Sequence, residues 1–313
     1  MPRSRVLIFL VAVMTLAACA VPVRPSRAQD ATPEATPAPR FTTTVEVDGR
    51  HIGLTCEGTG SPTAVLIAGM LAPADRVWPE TVDALSPLTR VCVFDRAGQG
   101  PSEPAPTVPQ TAADIVADLH AALVAAGEAG PFVPVGFSLG GRVAQLFASI
   151  YPDEVAGLVL VEGAPPGWDT VDLTLAPLTE AEREGLRELV SGREPANPSS
   201  PVETLLSEAQ VLAAPPPPPV PTVMIVAGKI DYLLTEGEER DVTWGDLEAA
   251  ARFHLLQAGQ ARDLGARIVV APESNHLVPF QQPEVMIAAI EDVIEAVRDP
   301  SSWATPAAGT PVP

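Results

Sequence analysis

The sequence predicts an α/β protein with a mostly parallel β-sheet. Short apolar runs alternate with segments whose apolar residues recur at helical spacing, a pattern typical of parallel sheets covered on both faces. The chain has 313 residues, 46% hydrophobic and 19% charged, and such a composition can bury a substantial core. Segments rich in Pro, Ala and Thr flank a folded domain expected at residues 41–299, with a tether at 19–40 and an unpacked tail at 300–313.

The first part of the domain begins with a predicted hairpin. Two runs of strand-forming residues, Thr42–Val47 and His51–Cys56, flank the pair Asp48-Gly49, which favours a tight turn. Short apolar runs and amphipathic stretches then follow in alternation. They predict strands at Ala64–Ala68, Arg90–Phe94 and Pro131–Val135, and helices at residues 74–88 and 112–126.

The second part continues the alternation around one long insertion. Residues 165–219 contain two helical candidates, Glu180–Val190 and Val202–Ala213. Five consecutive prolines follow and should make the connection to the next strand stiff. An insertion of this size favours a lid that covers and shapes a substrate pocket. The alternative is a surface segment that does not contact the site. The other predicted elements are strands at Gly157–Val161, Val220–Val226 and Arg267–Val270 and helices at residues 142–148, 244–264 and 284–297.

A sharp strand-to-helix turn is predicted around Ser138. The run from Val135 to Gly141 carries a G-x-S-x-G pattern, with an apolar strand before it and a helical segment after it. A serine presented from so tight a turn has a strained backbone, and Gly136 and Gly140 are small enough to let strand and helix approach. The pattern therefore predicts that Ser138 is a nucleophile.

A serine nucleophile needs a base, and the base needs an orienting acid. His276 lies in a loop after the last predicted strand, whereas His51, His120 and His254 lie in a predicted hairpin and two predicted helices. Because parallel sheets place their sites at the carboxyl ends of strands, we expect His276 to be the base.

Three acidic residues compete for the role of the orienting acid. Asp231 stands in a Gly-x-x-Asp context directly after a buried strand, and it fits the chain order serine, acid, histidine. This context favours Asp231. The alternatives are Glu162, which follows the strand after the serine turn, and Asp241, which lies farther along the same connection as Asp231.

The negative oxygen of a tetrahedral intermediate needs fixed N–H donors. Leu139, the residue after the nucleophile, supplies one backbone N–H. We expect the second from Met70, in the turn after the third strand, where Gly69 permits close backbone approach. The Met70 side chain can also line the pocket, since the oxyanion role uses only its backbone.

These motifs, in this order, resemble those of α/β-hydrolase-fold enzymes of the single-domain serine esterase and lipase type. The resemblance implies an eight-stranded sheet with an antiparallel second strand, in which the strand of Cys92 lies between those of Cys56 and Leu66. It thereby puts Cys56 and Cys92 on adjacent strands and implies a disulfide, with two buried free thiols as the alternative. The matching segments are residues 65–71, 94–102, 136–141, 228–231 and 275–276.

Two positions depart from the pattern of these enzymes. Ala68 stands where a histidine often precedes the glycine of the oxyanion turn, and Phe137 stands where the serine motif often reads G-H-S. Neither change removes a catalytic atom. Arg96 and Ser102 match the loop after the fourth strand, and the resemblance implies that they tie this loop near the oxyanion turn.

The predicted function is hydrolysis of carboxylic esters through an acyl-enzyme. An amidase, a peptidase or a cofactor-free perhydrolase would use the same residues, and a non-catalytic binding protein on this scaffold is a further alternative. We expect a small-molecule acyl substrate, a monomer and no cofactor or metal, because the sequence contains no motif for one. The net charge of −20 argues against a nucleic-acid partner.

The amino terminus predicts export. Arg3 and Arg5 precede an apolar run, Val6–Ala18, which is too short for an ordinary membrane span. The run ends in a sequence that resembles a bacterial lipobox, which implies a signal peptide at residues 1–18 and acylation of Cys19. Cleavage after Ala20 or Ala28 is the alternative. We expect a protein anchored to the outer face of the bacterial cell membrane, in contact with it only through the lipid.

Overall fold

A single sheet of eight strands organises the part of the chain that the computed structural model describes, residues 43–70, 73–169, 201–229 and 244–303. The spatial order is β1-β2-β4-β3-β5-β6-β7-β8, with β2 antiparallel to both neighbours and parallel pairing from β4 onward. The strands are β1 Thr44–Val47, β2 Arg50–Glu57, β3 Thr63–Ile67, β4 Arg90–Asp95, β5 Phe132–Phe137, β6 Leu158–Val161, β7 Thr222–Ala227 and β8 Arg267–Ala271.

Helices cover both faces of the sheet and bury it. Central strand β3 is buried along its whole length, because its alternate side chains enter two different apolar cores. One core lies under α3 and α4, and the other under α2 and α8. The helices are α1 Ala74–Val77, α2 Pro79–Leu85, α3 Ala112–Ala125, α4 Leu139–Ile150, α5 Thr204–Ala213, α6 Trp244–Leu264, α7 Val278–Gln281 and α8 Pro283–Arg298, with 3₁₀ turns at Pro152–Glu154 and Pro300–Ser302.

The predicted α/β class and the mostly parallel eight-stranded sheet are confirmed, and β4 lies between β2 and β3. The helix expected at residues 74–88 is instead two short helices, and Pro79 begins the second because its missing N–H is tolerated at a helix start. Beyond residue 299, the expected end of the domain, the Arg267 guanidinium stacks 4.0 Å over the Trp303 ring. The expected signal peptide, the tether, the helix at 180–190 and the rest of the tail lie outside the described residues.

Helix α5, at the end of the insertion, caps the amino terminus of α3 with two of its side chains. The Ser207 hydroxyl accepts a hydrogen bond from the Ala112 N–H at 2.9 Å, and the Gln210 side chain accepts one from the Ala113 N–H at 3.0 Å. The first N–H groups of a helix have no acceptor within the helix itself. The end of the insertion is therefore joined to the sheet-covering helices.

Arg142 on α4 holds both ends of the insertion. Its Nη1 atom donates to the Asp169 carboxylate at 2.7 Å and to the Thr204 carbonyl at 3.1 Å. The Glu208 carboxylate lies 3.8 Å from Nη2 and also accepts the Asp169 N–H at 2.8 Å. Arg142 is only 2% exposed. Because the buried guanidinium faces two carboxylates, its charge is not left unpaired.

Candidate active site

Ser138 occupies the turn between β5 and α4 with a strained backbone, at φ 55° and ψ −118°. Positive φ is uncommon for a residue with a side chain and persists only where the surroundings impose it. Here the Ser138 N–H donates to the Val161 carbonyl at 3.0 Å, and the Ser138 carbonyl accepts the Gly141 N–H at 3.0 Å. The end of β6 thus holds the serine turn in place.

Two glycines make this turn possible. A Cβ atom added to Gly136 would lie 2.1 Å from the Gly140 carbonyl oxygen, and one added to Gly140 would lie 2.1 Å from the Ile67 carbonyl oxygen. Both distances are far inside van der Waals contact. The two glycines of the G-x-S-x-G pattern are therefore required by close backbone approach, one within the turn and one against β3.

His276 bridges Ser138 and a buried carboxylate. Its Nε2 atom lies 3.0 Å from the Ser138 Oγ atom, and its Nδ1 atom lies 3.1 Å from Oε2 of Glu162. The loop that carries His276 follows β8, and Gln281 on α7 holds it by accepting the Asn275 N–H at 2.9 Å. This geometry suits proton transfer from the serine to the imidazole, with Nδ1–H donated to the carboxylate.

Glu162 is the carboxylate beside the imidazole. It directly follows β6, has φ 45° and is 1% exposed. Its Oε1 atom accepts the Ala227 N–H at 2.7 Å and the Gln257 side-chain amide at 3.3 Å. Oε1 is therefore engaged by two donors, and Oε2 is left to face His276.

The expected acid, Asp231, lies outside the described residues, as do its alternative Asp241 and the expected lipid anchor Cys19. Glu162 was the other alternative, and its sequence signal was its position directly after a predicted strand. Gln257 was missed, because nothing in the sequence connects it with a carboxylate 95 positions away.

The turn that contains Met70 abuts the nucleophile. A Cβ atom added to Gly69 would lie 3.2 Å from the Ser138 Cβ atom. Arg96 donates to the Gly69 carbonyl at 3.2 Å and to the Met70 carbonyl at 3.3 Å, and Gln99 reaches the Met70 carbonyl at 3.4 Å. In a trans peptide the N–H points opposite to the carbonyl. By binding the Gly69 carbonyl, Arg96 directs the Met70 N–H away from itself.

Leu139 is the first residue of α4, so its N–H has no acceptor within the helix and is available to a ligand. The turn before Met70 and the start of α4 both adjoin Ser138, where the two oxyanion donors are expected.

Aromatic side chains enclose the imidazole. The Phe137 ring lies 5.2 Å from the His276 ring, and the Phe253 ring lies 6.5 Å from it in an edge-to-face arrangement. His276 is consequently 5% exposed. Low exposure strengthens the electrostatic contact between the imidazole and Glu162, because water is kept away.

The last residue of β4 and the first residue of the loop after it both have a perturbed pKa. Burial, reinforced by the Asp75 carboxylate, raises the pKa of Asp95 to about 7, against a smaller opposing effect of the Ala74 N–H. Burial also lowers the pKa of the neighbouring Arg96 to about 10. Ser102 fastens this loop by donating to the Asp95 carbonyl at 2.5 Å and accepting the Gly53 N–H at 2.7 Å.

Comparisons with known proteins agree with the topology. A family model for the α/β hydrolase fold matches residues 64–194. A probable hydrolytic enzyme from Pseudomonas aeruginosa superposes with a TM-score of 0.55 at 20% identity, over 80% of this chain and 93% of that one. This protein has the α/β-hydrolase fold.

Two curated relatives with this similarity match shorter segments. A Cronobacter sakazakii protein named as a carbamate hydrolase, RutD, is 37% identical over 106 residues, or 33% of this chain and 38% of that protein. A pimeloyl-acyl-carrier-protein methyl ester esterase from Chromobacterium violaceum is 44% identical over 79 residues, or 25% of this chain and 28% of that one. The chain thus spans less than two fifths of the length of either relative.

One cluster of metal-type ligands occurs in the described part of this α/β-hydrolase fold. It comprises Cys56, Cys92 and Glu128, whose ligand atoms lie within 4.8 Å of one another. The two sulfur atoms form a disulfide, 2.08 Å apart, and the Glu128 carboxylate contacts Arg90 at 2.7 Å. The cluster therefore offers no free thiolate to a metal. None of the described helices is long and apolar enough to cross a membrane.

Proposed function

We propose that this protein is a serine hydrolase that cleaves carboxylic esters, with Ser138 as nucleophile, His276 as general base and acid, and Glu162 as the orienting acid. The observation that carries the proposal is the continuous chain of contacts, 3.0 Å from Ser138 to His276 and 3.1 Å from His276 to Glu162. Both distances lie within the range that proton transfer and imidazole orientation require.

In the proposed reaction, the Ser138 Oγ atom attacks the acyl carbonyl while its proton passes to Nε2 of His276. Glu162 stabilises the imidazolium that forms. The N–H groups of Met70 and Leu139 bind the negative oxygen of the tetrahedral intermediate. The intermediate then expels the alcohol, which takes the proton from His276. A water molecule, deprotonated by His276, then attacks the acyl-serine, and the carboxylic acid leaves as His276 returns the proton to the Ser138 Oγ atom.

The first experiment compares Ser138→Ala with Ser149→Ala in hydrolysis of short chromogenic esters and in labelling by a fluorophosphonate. Ser149 is a matched control, because its hydroxyl is buried on α4, the helix that follows Ser138, and donates to the Gln145 carbonyl at 3.1 Å. We expect Ser138→Ala to lose both activities and Ser149→Ala to keep them. Unchanged hydrolysis by Ser138→Ala would refute the proposal, and a wild type that never reacts would favour a binding role.

The second experiment assigns the acid by comparing Glu162→Gln with Asp231→Asn. We expect Glu162→Gln to lower kcat by about 10³–10⁴, because an amide at this position no longer stabilises the imidazolium. Asp231→Asn should keep kcat within a few fold. The reverse result would return the role to Asp231 without affecting the assignment of Ser138.

Amides and carbamates are the second candidate substrates, since the similarity to a protein named as a carbamate hydrolase stands beside that to a methyl ester esterase. A matched series of esters, carbamates and amides with the same leaving group separates the two possibilities. We expect the highest kcat/KM for esters.

We also propose that the enzyme is exported and anchored through an acylated Cys19. The support is the sequence of the amino terminus alone. Metabolic labelling with an alkyne fatty acid should mark the wild type in the membrane fraction and leave the Cys19→Ala variant unlabelled. Labelling of that variant would contradict the anchor.

A further inference from the structure

We propose that Gln257 is a positioning residue for Glu162, which holds one oxygen of this carboxylate so that the other is turned toward His276 during the reaction. The inference rests on the proposed function, because it assigns Gln257 a role only through the Ser138, His276 and Glu162 constellation.

Helix α6 turns one face toward the candidate site. Phe253, Gln257 and Gln260 follow at spacings of four and three residues, so they share that face. The Phe253 ring packs against the His276 ring, and the Gln257 Nε2 atom lies 3.3 Å from the Glu162 Oε1 atom. Gln260 instead donates to the Gln145 side chain of α4 at 2.6 Å, away from the three reacting residues.

The chemistry of the pair decides how the Gln257 amide is oriented. An ionised carboxylate can only accept hydrogen bonds, so the amide must present its NH₂ group to Glu162. Gln257 is fully buried, and its carbonyl oxygen has no partner among the described residues. A buried acceptor without a partner is costly, whereas a leucine would fill similar space without that cost. The hydrogen bond that the Gln257 NH₂ group donates to Glu162 therefore explains why a glutamine occupies this buried position.

Two donors on one oxygen of Glu162 direct the other oxygen to the imidazole. The Ala227 N–H and the Gln257 amide both reach Oε1, while Oε2 faces Nδ1 of His276. Both donors are neutral. They hold the carboxylate in place without adding a positive charge that would oppose the imidazolium formed during catalysis.

The test is the separate effect on kcat and KM of ester hydrolysis by Gln257→Leu, with Gln260→Leu as the matched control. Without the amide donor, Oε2 of Glu162 is no longer directed at Nδ1 of His276, so kcat should fall while KM changes little. Loss of a hydrogen bond to a charged group should lower kcat by about tenfold to a hundredfold. Gln260→Leu removes a buried amide contact on the same helix face and should leave kcat and KM unchanged.

A second variant, Gln257→Glu, keeps the shape of the side chain but opposes Glu162 with another carboxyl group. The two carboxyl groups repel each other and the donor to Oε1 is lost, so kcat should fall at least as far as in Gln257→Leu. The number of active sites in each sample is measured with a fluorophosphonate, so that every kcat is expressed per folded site. If kcat of both Gln257 variants coincides with that of Gln260→Leu, the inference is overturned. Retained hydrolysis by Ser138→Ala, measured in parallel, would instead identify a failure of the proposed function.

Discussion

Replacing Asp95 with asparagine should stabilise the protein at neutral and alkaline pH. Asp95 is 2% exposed, and its Oδ1 atom has no hydrogen-bond partner among the described residues. Burial is the main cause that raises the pKa of this carboxyl group from 3.8 to about 7, and the Asp75 charge adds to it. The ionised side chain is therefore an unfavourable component of the folded state, and asparagine removes the charge while keeping the shape.

The size and sign of the effect follow from proton linkage. Between pH 4 and pH 7 the folded protein holds a proton on Asp95 that the unfolded chain has lost. Stability must therefore fall as pH rises through this interval, and the full cost is present above pH 7. Since each pKa unit corresponds to ~1.4 kcal/mol, the change from 3.8 to about 7 is an upper limit of about 4 kcal/mol.

Urea denaturation of the wild type and Asp95→Asn at several pH values between 4 and 8.5 measures this difference. The variant should gain stability relative to the wild type as pH rises, with most of the gain reached by pH 7. Asp118→Asn is the control, because its carboxylate already pairs with Arg50 at 2.6 Å and its removal should not stabilise. A difference between Asp95→Asn and the wild type that stays constant over this range would refute the reasoning.

Two further predictions concern the oxyanion turn and the disulfide. Arg96→Leu should lower kcat by about tenfold to a hundredfold with little change in KM, because the Met70 N–H loses its fixed direction and an oxyanion donor contributes 10²–10³ in kcat. Steady-state kinetics of folded Arg96→Leu tests this, and an unchanged kcat would contradict it. Replacing Cys56 and Cys92 together by serine opens a loop with a sequence separation of 36 and should cost about 4 kcal/mol of unfolding free energy on the chain-entropy model. Equal urea midpoints for this variant and the oxidised wild type would contradict that expectation.

The fold could be predicted from the sequence because its signals are local. Alternation of apolar runs with amphipathic stretches reports the strands and helices, and buried strands such as β3 show their whole length as an apolar run. The serine turn is equally local. Gly136 and Gly140 stand within two residues of Ser138, and each avoids a clash that any side chain would make.

The choice of carboxylate could not be predicted in the same way. Glu162 and Asp231 both follow predicted strands, so periodicity and chain order leave both open. The partners of Glu162 come from β7 and α6, far along the chain, and no local pattern specifies them. The role of Arg96 toward the Met70 turn depends on the pairing of β4 beside β3. Only the family resemblance implied that pairing, because no local pattern specifies it.

The Arg142 side chain is a single point of attachment for the two described ends of the insertion. Asp169 and Glu208 face the same guanidinium. Loss of this one side chain would therefore release both ends from α4 together. The hydrogen bonds that hold the Ser138 turn, to Val161 and Gly141, do not involve Arg142.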